Sequence, residues 1–323
     1  MRLAVIGCGG MGTIHASLAA RCGFEVVACG DSRLDKAKAL AEQHNAEAAD
    51  DCLALVKRPD VEVVAVATPT PTHGAYVRAA AEAGKHVFCE KPFTRTPEEG
   101  EETLAAVKRS GVKLLVGHVV RYFQEFEAIR ERVQNGSIGK VGFVKTYRGG
   151  IYPRGEGAWF HDYAQSGGVV FDSSIHDLDW IRYVFGNPTR VYCQALQRSD
   201  PLDYGMVTMW FDQGLITHTI GTWAHPGGFR VKVEVCGDQG MVTLDSKEAP
   251  ISAMMRETAG GGPSMIVPGS PVPVSPYQLE WEDFAAWMRD GRTPRVQPED
   301  AVWAVRIAHG ALESARTGAP VAL

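Results

Sequence analysis

Three groups of residues in this 323-residue chain combine type and spacing in a way that can do chemistry. The first is Gly7-Cys8-Gly9-Gly10-Met11-Gly12, a G-x-G-x-x-G run directly after the apolar segment Leu3–Ile6 and at the opening of a helical pattern. In that setting Gly7 permits a tight turn, Gly9 lets the backbone approach a pyrophosphate, and Gly12 lets helix and strand pack closely. The anion would sit on the helix N-terminus, where unpaired N–H groups and the dipole favour negative charge. Asp31 stands 19 residues beyond Gly12, at the end of the next apolar run. A carboxylate there can hydrogen-bond adenosine ribose hydroxyls and repel a 2′-phosphate, which points to NAD. Arg33 is a cation suited to that same phosphate, so Asp31-Ser32-Arg33 leaves NADP open as a second cofactor.

The second group is Glu90-Lys91-Pro92, at the C-terminal end of the strand-like run His86–Cys89. Ligands of open α/β sheets bind beyond that end. A lysine beside a nicotinamide can hydrogen-bond a substrate hydroxyl or relay the proton lost on oxidation. By spacing alone a solvated loop lysine fits equally well. The third group is Asp172 and His176, which share a face if a helix has begun there, preceded by Gly167-Gly168. A neutral imidazole accepts a hydroxyl proton near physiological pH, and a neighbouring carboxylate orients it. The competing reading makes Asp172 an N-cap and His176 a packing residue. Zinc held by Asp172 and His176 with His161 or a cysteine lacks a compact ligand set, so no metal is expected.

The elements that must position these groups change character along the chain. Up to Gly117, short apolar runs alternate with helical patterns. Strands are expected at Leu3–Ile6, Val26–Cys29, Val61–Ala67, His86–Cys89 and Lys113–Val116, with helices near Gly10–Arg21, Asp35–His44, Thr72–Ala83 and from Thr96 to Gly111. Thr96-Pro97-Glu98-Glu99 is a capping box with proline at the first helical position. Runs apolar throughout indicate a parallel sheet covered on both faces, hence a doubly wound domain over residues 1–118. Residues 119–323 read as a second domain. A helix near Phe123–Val133 precedes strands at Gly142–Arg148, Val191–Leu196, Met206–Phe211, Leu215–Thr222, Arg230–Cys236 and Met241–Leu244. Hairpins at Asp212–Gly214 and Gly237–Gly240 make that sheet mostly antiparallel. A helix is inserted near Ser173–Val184, Gly260–Pro276 reads as a loop, and helices near Gln278–Arg289 and Glu299–Arg316 close the chain, the last free to pack back on the first domain. All seven tryptophans lie from Trp159 onward, which suggests that the two halves build their cores from different material.

Composition excludes several classes. Lys+Arg 33 against Asp+Glu 38 gives a net charge of −5, without the basic excess that a nucleic-acid or anionic-membrane binder needs. No apolar run approaches the ~20 residues of a spanning helix, and the opening run is broken too early for a signal peptide. Seven scattered cysteines with no C-x-x-C pair read as reduced thiols of a cytoplasmic protein.

Taken together, Gly7–Gly12, Asp31, Thr68-Pro69 with His73, Glu90-Lys91-Pro92, and Gly167-Gly168 through Asp172 to His176-Asp177-Leu178-Asp179 resemble the Gfo/Idh/MocA oxidoreductases, the glucose–fructose oxidoreductase and inositol dehydrogenase group. The resemblance covers nearly the whole chain. It implies a Rossmann domain followed by an α/β domain with a large, mostly antiparallel open sheet that forms a homodimer or homotetramer. It implies hydride transfer between NAD(P) and a secondary hydroxyl of a sugar, inositol or related polyol, with Lys91, Asp172 and His176 as catalytic residues. His176 would be the base, Lys91 would polarise the hydroxyl, and Asp172 would bind substrate and position His176. Thr68, Pro69, His73 and Glu90 would line the nicotinamide, and Arg121 in His118–Phe123 would contact cofactor or substrate. The inositol dehydrogenases typically have paired arginines where this chain has Val120-Arg121. Trp159 is a candidate for stacking on a sugar ring, and equally for a core position. A dinucleotide-binding regulator without catalysis and an NAD-recycling glycosidase are the two rival functions on the same fold.

Overall fold

The computed structural model describes residues 1–153, 156–197, 202–248, 252–255 and 274–323. The chain divides into two compact units, Met1–Val119 with Val274–Val305, and Val120–Pro273 with Arg306–Leu323.

The first unit is a doubly wound sheet. In chain order it contains β1 (Arg2–Ile6), α1 (Gly10–Arg21), β2 (Glu25–Gly30), α2 (Leu34–His44), β3 (Glu47–Ala49), α3 (Cys52–Val56), β4 (Val63–Val66), α4 (His73–Glu82), β5 (His86–Cys89), α5 (Pro97–Ser110) and β6 (Leu114–Val116). All pairs are parallel in the order β3-β2-β1-β4-β5-β6, so the direction of winding reverses between β1 and β4. The strand expected over Val61–Ala67 shortens to β4, and a 3₁₀ turn at Thr70–Thr72 precedes α4. The Thr96 cap forms as expected, its hydroxyl accepting from the Glu99 N–H at 3.2 Å, and Gly111 ends α5 in the left-handed region (φ 66°). β3 and α3 carry too few residues for either periodicity to show in the sequence.

In the second unit come α6 (Gln124–Gln134), β7 (Val141–Gly149), α7 (Tyr163–Ser166), α8 (Gly168–Asp172), α9 (Ile175–Phe185), β8 (Arg190–Gln197), β9 (Asp203–Trp210), β10 (Ile216–Thr222), β11 (Arg230–Gly237), β12 (Gly240–Asp245) and β13 (Ser252–Met255). The chain ends in α10 (Pro276–Asp290), α11 (Pro298–Thr317) and β14 (Val321–Ala322). The second sheet has the order β13-β12-β11-β7-β10-β9-β8-β14 and is antiparallel except where β10 runs parallel to β7. Most of the loop expected over Gly260–Pro276 lies outside the described residues, and Pro276 itself is the first residue of α10.

α10 belongs to the first unit, which corrects the expectation that tryptophan marks only the second half. Trp281 is fully buried with Phe24, Phe88 and Phe284 in the core beneath β1 and β5. Its ring lies nearly parallel to Phe88, 4.4 Å away at 13°. A sheet covered by helices on both faces needs a cover over this region, and a segment remote in sequence supplies it.

Candidate active site

The carboxyl ends of β1, β2, β4 and β5 bring the first two chemical groups together at the switch point of the sheet, where such folds bind ligands. Between β1 and α1 the glycine loop is fixed by contact. A Cβ on Gly12 would lie 1.8 Å from the Gly7 carbonyl oxygen, so only glycine fits there. Gly9 and Gly10 differ: among the described residues, no atom lies within 4 Å of a Cβ placed on either, leaving open space over the start of α1. The first helical bond runs from the Thr13 N–H to the Gly9 carbonyl, so the preceding amides, Met11 and Gly12 included, have no intrahelical acceptor. That cradle of bare backbone and unpaired N–H groups suits a pyrophosphate.

Asp31 follows β2 and binds the same loop. Its Oδ2 accepts from the Cys8 N–H at 2.8 Å and its Oδ1 from the Arg33 N–H at 2.9 Å. The carboxylate keeps acceptor capacity for ribose hydroxyls. Ser32 is exposed beside it. The Arg33 guanidinium turns to Asp35, with Nη2 2.7 Å from Oδ2. The cation that suited a 2′-phosphate thus has a carboxylate partner of its own.

After β4, Thr68 and Pro69 form the next turn, where the Thr72 hydroxyl lies 2.8 Å from both Thr68 Oγ1 and the Pro69 carbonyl. His73, buried at the head of α4, ties two strand ends. Its Nε2 is 2.7 Å from the Thr68 carbonyl and its Nδ1 2.8 Å from the Pro92 carbonyl. Burial holds its pKa below the usual imidazole range, against the pull of those two carbonyls. Glu90, buried after β5, accepts from the Lys91 N–H at 3.0 Å and meets His15 Nε2 at 2.7 Å. Burial pushes its carboxyl up, but His15 and Lys91 outweigh burial and hold it below the usual range. The Lys91–Pro92 peptide is cis, and Lys91 is half-buried.

In the second unit, Asp172 and His176 stand on two helices rather than one. Asp172 ends α8 and His176 sits in the first turn of α9, with Ser173-Ser174 between them. The helix expected near Ser173–Val184 starts at Ile175, and the break falls at Ser173-Ser174, where the Ser174 N–H reaches back to the Val169 carbonyl at 2.8 Å. Asp203 caps α8: its Oδ2 accepts from the Val169 N–H at 2.9 Å, and burial, opposed by that bond, raises its pKa to about 6. The sheet accepts this turn at a bare patch. Gly205 and Gly221 pair across β9 and β10, and a Cβ on them would lie 2.1 Å from Val170 Cγ2 and from Ser174 Oγ respectively.

Two buried Arg–Asp pairs hold α9. Arg121 binds Asp179 through both arms of its fork, at 2.8 and 2.6 Å, and lies over the Tyr183 ring. Arg148 binds Asp177 at 2.6 and 3.2 Å. The structure therefore engages Arg121, 1% exposed, inside the second unit. Trp159 packs on Phe160 at 4.0 Å between centroids and stays half-buried. Sequence reasoning assigned no role to His15, Trp281, Arg148, Asp203 or the Gly205–Gly221 patch. The paired carboxylates of His176-Asp177-Leu178-Asp179 were the visible signal for anchoring; the others had none.

Residues 1–118 match the family model described as "Oxidoreductase family, NAD-binding Rossmann fold", and residues 126–243 match the GFO/IDH/MocA C-terminal domain. The chain is 30% identical to scyllo-inositol 2-dehydrogenase (NAD(+)) of Bacillus subtilis, covering 100% of this chain and 96% of that protein. It is 28% identical to myo-inositol 2-dehydrogenase of Thermotoga maritima over 97% and 96%. Among solved structures, levoglucosan dehydrogenase in complex with NADH and levoglucosan superposes with a TM-score of 0.89 at 21% identity, over 100% and 99% of the two chains, a likeness of fold.

Proposed function

Because this chain belongs to the Gfo/Idh/MocA oxidoreductase family, we propose that it is a polyol dehydrogenase whose chemistry rests on Lys91, Asp172 and His176. It is an NAD-dependent enzyme acting on CH–OH groups, and a cyclic polyol of the inositol class is the substrate we favour. The observation that carries this reading is the meeting of the glycine cradle, Asp31 and the Glu90-Lys91 turn at one switch point.

NAD, when bound, supplies the hydride acceptor. The Gly9–Gly12 amides would hold its pyrophosphate and Asp31 its ribose, with Thr68, Pro69 and His73 along the nicotinamide side. His176 takes the hydroxyl proton as general base, Lys91 donates a hydrogen bond to the substrate oxygen, and Asp172 binds substrate and keeps the imidazole oriented. Arg121, bonded to Asp179 through both arms of its fork, fixes the helix that carries His176. Trp159 offers a ring face to the substrate.

Two further parts of the reading concern assembly and location. The second sheet leaves Leu196, Tyr204, Met206 and Ile216 exposed on one face, which supports a homodimer or homotetramer built through that face. Seven free cysteines suit a reducing cytoplasm, which cell fractionation tests. Appearance of NADH absorbance with an inositol and sugar panel, run with NAD and NADP in parallel, tests the activity. Lys91→Met and His176→Ala should each lower kcat by about 10²–10⁴-fold with NADH affinity little changed. Near-normal turnover in both variants would refute the assignment.

A further inference from the structure

We infer that Trp281 and His15 are positioning residues for Lys91, acting through Glu90 by a buried chain of hydrogen bonds. The proposal rests on the reading that Lys91 works on the substrate. Its geometry lies wholly inside the first unit.

The direction of every bond in the chain is set by one side chain. An indole Nε1 is a donor only. Trp281 Nε1 lies 3.0 Å from His15 Nδ1, so that nitrogen must accept and the ring proton sits on Nε2. Nε2–H then donates to Glu90 Oε1 at 2.7 Å. The other Glu90 oxygen accepts the backbone N–H of Lys91 at 3.0 Å. His15 and Trp281 are fully buried and Glu90 is 7% exposed, so water does not compete for these bonds. The ionised partner that the chain requires is present, because His15 and Lys91 hold the Glu90 carboxyl below its usual range. The neighbouring buried acid, Glu280, is pushed the other way by burial and by the charges of Glu90 and Asp283.

The indole cannot drift from this position. Phe88 stacks on it at 4.4 Å, while Phe24 and Phe284 meet it edge-on at 5.2 and 5.9 Å. Phe88 lies on β5, two residues before Glu90, so the ring that clamps Trp281 and the carboxylate it orients leave the same strand. Without the indole N–H, His15 is free to place its proton on Nδ1, and a bare Nε2 would then face the carboxylate. Lys91 would lose the fixed acceptor for its amide, and its side chain would start from a looser backbone.

Trp281→Phe keeps the ring packing and deletes the donor. His15→Leu breaks the chain, and His15→Gln restores a donor toward Glu90 with an acceptor toward the indole. Measured by hydrogen exchange on the NADH-bound protein, the Lys91 amide should exchange about 2–10-fold faster in Trp281→Phe, the loss of one hydrogen bond. It should exchange at least as fast in His15→Leu and near the wild-type rate in His15→Gln. With myo-inositol and NAD, kcat should fall by a similar factor in Trp281→Phe, while adding the same change to Lys91→Met should lower kcat no further. Wild-type exchange at Lys91 in both Trp281→Phe and His15→Leu, or an equal loss of kcat with and without Lys91, would overturn the proposal. Faster exchange with no loss of turnover in Lys91→Met would instead remove the Lys91 reading, and the positioning role with it.

Discussion

Glu280 offers a direct test of how charge is divided beneath the strand ends. The side chain is fully buried and neither carboxyl oxygen has a hydrogen-bond partner among the described residues. Burial first, then the negative charges of Glu90 and Asp283, push its pKa well above the usual range. Folded Glu280 therefore keeps a proton that the unfolded chain releases near its ordinary value of about 4.3. The folded state binds more protons, so stability at this position is intact below that value and declines as pH rises toward the folded pKa. Glu280→Gln substitutes a neutral group of the same size and abolishes the decline. Each pH unit between the unfolded and the folded pKa corresponds to about 1.4 kcal/mol that the wild type loses and the permanently neutral amide does not. The variant should thus gain at least about 1 kcal/mol near pH 8, which for a domain of about 150–250 residues is about 2–4 °C in Tm. Scanning calorimetry of both proteins from about pH 8 down to about pH 5 reads the difference. The gap in Tm should narrow steadily on acidification. A gap independent of pH, or one that widens as pH falls, would refute the assignment of the proton to Glu280.

Two further predictions follow from exposed features. Asp35→Asn should release the Arg33 guanidinium and lower the Kd for NADPH by about 2–5-fold while leaving that for NADH unchanged, as read by nucleotide fluorescence titration; no change for NADPH would mean that Asp35 does not restrain Arg33. Met206→Asp places a charge in the middle of the exposed apolar face of the second sheet, and sedimentation should show dissociation toward monomer. An unchanged sedimentation coefficient, or a wild-type protein that is already monomeric, would remove that face as the interface.

The carboxyl-end residues of the first unit were legible because each stands beside a local signal. Gly7–Gly12 follows a strand, Asp31 ends the next one, and Lys91 precedes a proline after a third, so chain order alone brings them to the switch point of a parallel sheet. Local periodicity likewise revealed the main helices and strands to within a few residues. It failed where elements are very short, as at β3, α3, α8 and β14.

Neighbours within a few residues are enough to place Gly7–Gly12, Asp31 and Lys91 at the carboxyl end of one parallel sheet. Only the tertiary structure decided that Trp281 fills the first unit's core and holds His15, 266 residues away, and that Arg121 is engaged by Asp179. It also decided that Gly205 and Gly221 form one bare patch under the turn carrying Asp172. The reason is physical: donors, acceptors and missing Cβ atoms act across strand registers and helix faces, and no local pattern in the chain encodes which remote segment will meet them.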